Sequence, residues 1–215
     1  MADIKGILNS AIGAAKRRRN LILFFILAHA VFLFFGHWTM YKGIPGVVYL
    51  REEQLKLIRE AAYLKPLTGV LAESLILKIL YTFFFNLLFG AFLSTTLSGL
   101  VFFLPYVIAV WRSFIIGVLF YGLEDLTPLK LFIFYTVFIL EFGAYSISSA
   151  AGTDMGLAIL WPARKGTESR KEAFRTAVRE MGRLYTLVII LLFVSAVWEI
   201  SWLEYLGPFI RAGKP

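Results

Sequence analysis

Residues 129–151 read LKLFIFYTVFILEFGAYSISSAA and lead into Gly152-Thr153-Asp154-Met155-Gly156. Only Lys130, at the edge, and Glu141, in the middle, carry charge there, and about 20 mostly apolar residues suffice for a helix to cross the hydrocarbon layer of a bilayer. The stretch predicts a transmembrane helix with a carboxylate inside the membrane. A charge at that depth costs roughly 3 kcal/mol on insertion scales, so it is ordinarily partnered and marks a functional site.

The rest of the chain has the same character. Of 215 residues, 59% are hydrophobic and 17% charged, with a mean hydropathy of +0.75, which is too apolar for a soluble domain of this size. The expectation is one all-α transmembrane bundle over residues 1–215, with about five spans at 21–38, 79–99, 100–121, 128–151 and 184–206 and amphipathic segments at 3–18, 50–64 and 164–182. The net charge of +8 does not point to nucleic acid, because the basic residues flank apolar spans as the positive-inside rule requires. With no cysteine, disulfides, thiolate metal sites and cysteine nucleophiles are excluded. Three Asn and one Gln, with no Cys, fit a protein from a hot environment.

Residues 3–18 place Ile4, Ile7, Leu8, Ala11, Ile12 and Ala15 at helical spacing, a helix suited to lie on the membrane surface, its lipid partner. Lys16-Arg17-Arg18-Arg19 follows and the next apolar stretch has no Ala-x-Ala exit, so an uncleaved span is expected. These charges put the N-terminus in the cytoplasm of a multi-pass cell-membrane protein and, with an odd number of spans, the C-terminus outside. His29 and His37, eight apart in the first span, lack further ligands for a metal site and read as helix contacts.

In span two Asn86, Gly90, Ser94 and Ser98 recur every four residues. Small residues at that spacing let helices approach closely in lipid, and Asn86 is placed to hydrogen-bond across the interface. Pro105 in the next span suggests a kink, a broken helix or a tight hairpin. Thr127-Pro128 has the chemistry of a helix start. Residues 164–182 interleave basic residues with Glu168, Glu172 and Glu180 beside Ala173, Phe174 and Ala177, an amphipathic helix at the inner surface or one that docks a protein partner.

Three successive spans thus carry a charge, Arg112, Glu141 and Glu199. One arginine fork reaching both carboxylates would make either a buried ion-pair network that fixes helix register or a site that moves protons, ions or a polar solute. No nucleophile elbow, metal-spaced set or glycine-rich phosphate loop is present, so no catalytic residue, metal or cofactor is assigned.

Phe85-Asn86 followed by Gly90, then Gly117, then Ile139-Leu140-Glu141 with Ala150-Ala151-Gly152-Thr153-Asp154-Met155-Gly156, and finally Ala196-Val197-Trp198-Glu199 followed by Pro208, resemble the stage II sporulation protein M family of five-span membrane proteins over residues 20–208. The pattern departs where the family usually has Asn-Gly five residues before Gly117; this chain has Arg112-Ser113. The resemblance implies a membrane scaffold, which in spore formers holds the septal peptidoglycan-degrading machinery, and a distant similarity to exporter-type permeases that meet an ATPase. Three readings follow. The first is a non-enzymatic scaffold forming homo-oligomers through the small faces of spans two and four, with Gly152 and Gly156 on the latter. The second is a transport component, either a permease or a proton-linked conduit using Glu141 and Glu199. The third is an intramembrane hydrolase.

Overall fold

The structure, a computed structural model, describes residues 4–122 and 127–212, with the backbone alone over 206–212. The acidic loop Glu124-Asp125 lies outside the described residues. The regular elements are all helical: α1 (Ile4–Arg17), α2 (Arg19–Tyr41), α3 (Pro45–Glu60), a short α4 (Lys65–Thr68), α5 (Leu75–Phe85), α6 (Leu104–Leu119), α7 (Pro128–Leu160) and α8 (Arg170–Ala212). From Asn86 to Leu97 the helix begun by α5 widens into a π-helix, and a 3-10 turn at Ser98–Leu100 ends it.

Among the described residues, four helices are long and apolar enough to cross a membrane: Arg19–Tyr41, Leu75–Leu100, Pro128–Leu160 and the apolar part of Arg170–Tyr205. The 16-residue α6 is apolar but shorter, about 24 Å at 1.5 Å per residue. The chain is therefore a multi-pass membrane protein. Arg17 and Arg18, at the junction of α1 and α2, pair with Glu180 and Asp154, so the beginning of α2, the end of α7 and the beginning of α8 share what we call the basic end. The connector of residues 42–74 lies at the opposite end.

Several boundaries differ from the sequence expectation. The run from Ser148 to Gly156, expected to be the exit of span four, is the buried interior of a 33-residue helix. Its glycines do not break the helix because packing requires them. A Cβ on Gly152 would stand 2.5 Å from the Thr95 carbonyl oxygen and 2.7 Å from that of Thr96, so the backbone of span two is in direct contact, and tertiary packing overrides weak helix propensity. The amphipathic segment expected at 164–182 is broken at its start by a 3-10 turn, Pro162–Lys165, and a left-handed Gly166, and from Arg170 it fuses with the fifth span into the single helix α8. Pro105 does not kink a span; it sits in the first turn of α6, where a missing N–H costs nothing. Thr127 occupies the N-cap of α7 without a side-chain hydrogen bond, and the connector helix starts at Pro45 instead of residue 50.

The core forms where α7 meets α8. Leu184, Val188, Leu192 and Ala196, one residue per helical turn and fully buried, pack against Ala144, Tyr145, Ile147 and Ala151, ridge into groove. Helices α2 and α6 approach to backbone contact through Gly36 and Gly117, whose added Cβ atoms would fall on the Phe114 and Leu33 carbonyls. The amphipathic α1 docks on α8 through fully buried Ala11 and Ala14 and leaves Ile4 and Ile7 exposed.

A polar intramembrane cavity as the candidate functional site

Four polar residues singled out by the sequence, Asn86, Arg112, Glu141 and Glu199, come from four different helical segments and line one cavity of about 570 Å³. Its wall is otherwise aromatic and aliphatic, with Phe85, Phe89, Phe142 and Tyr145 beside Ile116, Ile200 and Leu203. At the connector end it is bounded by Tyr63, Leu64 and Leu67, where Tyr63 stacks on Phe85 at 4.9 Å and Tyr81 donates its hydroxyl to the Tyr63 carbonyl at 2.7 Å. The cavity runs from that end into the middle of the bundle.

Asn86 donates its side-chain amide to Glu141 Oε1 at 2.7 Å, the interhelical bond expected of it. Asn86 is the first residue of the π-helical stretch, and π segments inside helices frequently mark functional positions. Arg112 does not fork onto the carboxylates. Among the described residues its ion pairs within 4.0 Å include neither Glu141 nor Glu199; it donates to Ser94 Oγ at 2.9 Å and, at 3.4 Å, to the Gly90 carbonyl. Its guanidinium lies 4.3 Å from the centre of the Tyr145 ring, a cation–π seat that holds a charge away from water. The reason for the difference is the aromatic platform. Tyr145 is one helical turn beyond Glu141 on the same face of α7, and it takes the flat guanidinium that the carboxylate was expected to hold.

Gly90 serves this seat. An added Cβ would stand 2.8 Å from the Tyr145 hydroxyl and 2.9 Å from its ring edge, so only glycine leaves room for the ring that carries Arg112. Charge bookkeeping across the cavity is uneven: one guanidinium that does not deprotonate faces two carboxyl groups. Glu141 Oε2 and both oxygens of Glu199 accept no hydrogen bond among the described residues, so a proton or cation is needed to balance the second carboxylate.

Ser94, Gly117, Gly152 and Gly156 have structural roles. Ser94 donates to the Gly90 carbonyl at 2.5 Å. Gly117 packs on Leu33, Gly152 on Thr95 and Thr96, and Gly156 on Gly99 and Phe102. The small faces of spans two and four, expected to meet a second copy, meet each other within one chain. His29 is a helix contact: its Nδ1 lies 2.5 Å from Ser113 Oγ and its ring 4.4 Å from that of Phe142.

Two sets of contacts were not anticipated from the sequence. Below the cavity floor, Thr95 Oγ1 and Ser148 Oγ share a hydrogen bond at 2.6 Å, and Thr96 Oγ1 bonds the Tyr185 hydroxyl at 2.7 Å, tying spans two, four and five together. At the basic end Asp154 is clamped by Arg18 at 3.0 Å and Lys165 at 2.5 Å. A lone Asp inside a small-residue run was the available signal for the second. No group of three or more metal-ligating side chains occurs among the described residues.

A bundle of long apolar helices enclosing a polar cavity defines a multi-pass membrane protein. Residues 21–202 match the family described as Stage II sporulation protein M, and the chain belongs to that family. No curated protein and no solved structure matches it.

Proposed function

We propose that the chain is a membrane transport component whose working site is the cavity, with Glu141 and Glu199 exchanging a proton or small cation with one side of the membrane. One observation carries this reading: both carboxylates line the same open cavity of about 570 Å³ and, among the described residues, neither forms an ion pair with Arg112. A network serving only to fix helix register would be sealed and paired, because unpaired charge in a low-dielectric interior is costly. In this reading Arg112 supplies a fixed charge on Tyr145 and Asn86 orients Glu141. The chain itself makes and breaks no covalent bond. The basic end faces the cytoplasm by the distribution of Lys and Arg, and the cavity opens to the other side.

A scaffold role is the second reading. It is the role that the family resemblance implies, and the apolar side chains that α1 leaves exposed at the basic end, Ile4 at 77% and Ile7 at 49%, support it. The two readings separate in sealed liposomes loaded with a pH-sensitive dye under an imposed proton gradient. Transport expects the reconstituted protein to dissipate the gradient faster than empty liposomes, and Glu141→Gln with Glu199→Gln to abolish the effect while melting behaviour is retained. Wild-type liposomes no leakier than empty ones, with Glu141→Gln impairing only assembly, contradict transport and favour the scaffold.

A further inference from the structure

A second concave surface lies at the basic end, where α1 crosses α8. A groove of about 600 Å³ runs between Ile7 and Ser10 of α1 and Arg179, Gly182, Arg183 and Thr186 of α8. It sits where the charged first turns of α8 give way to the apolar stretch from Leu184 onward, the level at which a helix passes lipid headgroups.

Three observations bear on what occupies it. The first is Gly182. Glycine inside a helix costs close to 1 kcal/mol relative to alanine, and at Gly90, Gly117 and Gly152 a neighbouring chain segment explains that cost. At Gly182 an added Cβ meets nothing within 4 Å. Packing within this chain does not call for glycine there, whereas close approach of an external molecule to the backbone does.

The second is charge. Arg17 and Arg183 share Glu180, at 2.9 and 2.6 Å, so these two cations face one carboxylate. Arg179 is exposed and has no partner among the described residues. The groove therefore presents a formal surplus of two positive charges, beside the hydroxyls of Ser10 and Thr186. The third is the neighbouring surface: Ile7 and Leu8 of α1 are 49% and 39% exposed, an apolar strip that continues from the charged groove.

We propose that this groove binds the headgroup of an anionic phospholipid. Its phosphate oxygens accept from Arg179 and Arg183, with Ser10 and Thr186 as further donors. The glycerol region passes over Gly182, and an acyl chain lies along Ile7. Arginine suits this task because its planar fork donates two parallel hydrogen bonds to phosphate. The proposal is independent of the transport reading, since no residue of the cavity takes part.

The test uses the full-length protein reconstituted into phosphatidylcholine vesicles with a minor fraction of phosphatidylglycerol, re-extracted in mild detergent, with retained lipid counted by mass spectrometry. Phosphatidylglycerol is expected to be enriched over phosphatidylcholine. Arg179→Gln is expected to lower its retention roughly tenfold, the effect of losing one charge-assisted hydrogen bond to phosphate, and Gly182→Leu, which fills the groove without changing charge, to lower it as well. Lys171→Gln, the same charge loss outside the groove, leaves retention unchanged. Equal losses in Arg179→Gln and Lys171→Gln with none in Gly182→Leu mean diffuse surface attraction and overturn the proposal. So does displacement of the lipid by inorganic phosphate, which assigns the groove to a free anion. Arg179 is exposed and unpartnered, so its variant folds and decides the matter even if Gly182→Leu does not.

Discussion

Asn86 and Glu141, 55 residues apart, are joined by an amide-to-carboxylate hydrogen bond of 2.7 Å between spans two and four. It occupies one oxygen of Glu141 and leaves the other toward the cavity. The bond also stands where the α-helix of span two widens to π, so a local change of backbone and a buried carboxylate coincide. Structure and proposed function meet at this pair.

Removing one partner strands the other. Asn86→Ala is expected to destabilise the protein by about 1 kcal/mol, the scale measured for polar contacts between membrane helices. Replacing both, as Asn86→Ala with Glu141→Leu, is expected to restore part of that loss, since two apolar groups leave nothing unsatisfied. Unfolding in mixed micelles measures this. A double variant no more stable than Asn86→Ala alone contradicts it.

Glycines of two kinds separate cleanly. Gly152→Ala forces a methyl group against the Thr95 and Thr96 backbone and is expected to cost about 1–3 kcal/mol through overpacking. Gly182→Ala adds a methyl group in open space and is expected to stabilise the lipid-free protein by about 0.5–1 kcal/mol through helix propensity. Thermal melts of the two variants in the same detergent check both signs.

The docking of α1 on α8 is expected to depend on pH. Burial alone raises the Glu180 pKa, but the hydrogen bonds and charges of Arg17 and Arg183 outweigh it and hold the carboxyl below its ordinary 4.5. This group lies on the charged turns of α8, before the apolar stretch. A carboxyl held low stabilises fully above its unfolded value and loses that contribution as pH falls through the folded value. The distance between spin labels on α1 and α8 is therefore expected to stay constant from about pH 7 to pH 5 and to broaden only below the ordinary carboxylate range. Glu180→Gln is expected to loosen α1 at neutral pH by about 1 kcal/mol, a value kept small because the Arg17 side chain is 50% exposed.

Much of this was legible in the sequence, for identifiable reasons. Five apolar stretches follow from hydropathy, and an isolated Glu141 or Glu199 in such a stretch stands out because charge there is expensive. Asn86 was readable because its spacing put it on a face of small residues. The partners were less legible. Spacing names a face and not what it meets, so the faces assigned to a second copy turned out to meet within the chain, Gly152 against Thr95 and Thr96. Arg112 was expected on the carboxylates because charges attract, yet Tyr145 offers a flat, dry seat that composition does not reveal. The fusion of 170–182 with span five into α8 was hidden because a change from charged to apolar composition looks like a boundary even where the helix continues.

The central claim is that the carboxylates face water and not a dry core. The chain has no cysteine, so a single introduced thiol reports alone. Glu199→Cys lies on the cavity wall; Val194→Cys, 46% exposed on the same helix, reports the lipid-facing surface. With the protein in sealed liposomes, a polar thiol reagent that does not cross membranes is expected to modify Glu199→Cys from the side of the connector and to leave Val194→Cys unmodified. If Glu199→Cys is as unreactive as Val194→Cys from both sides, the cavity is dry, the charges are architectural and the transport reading fails.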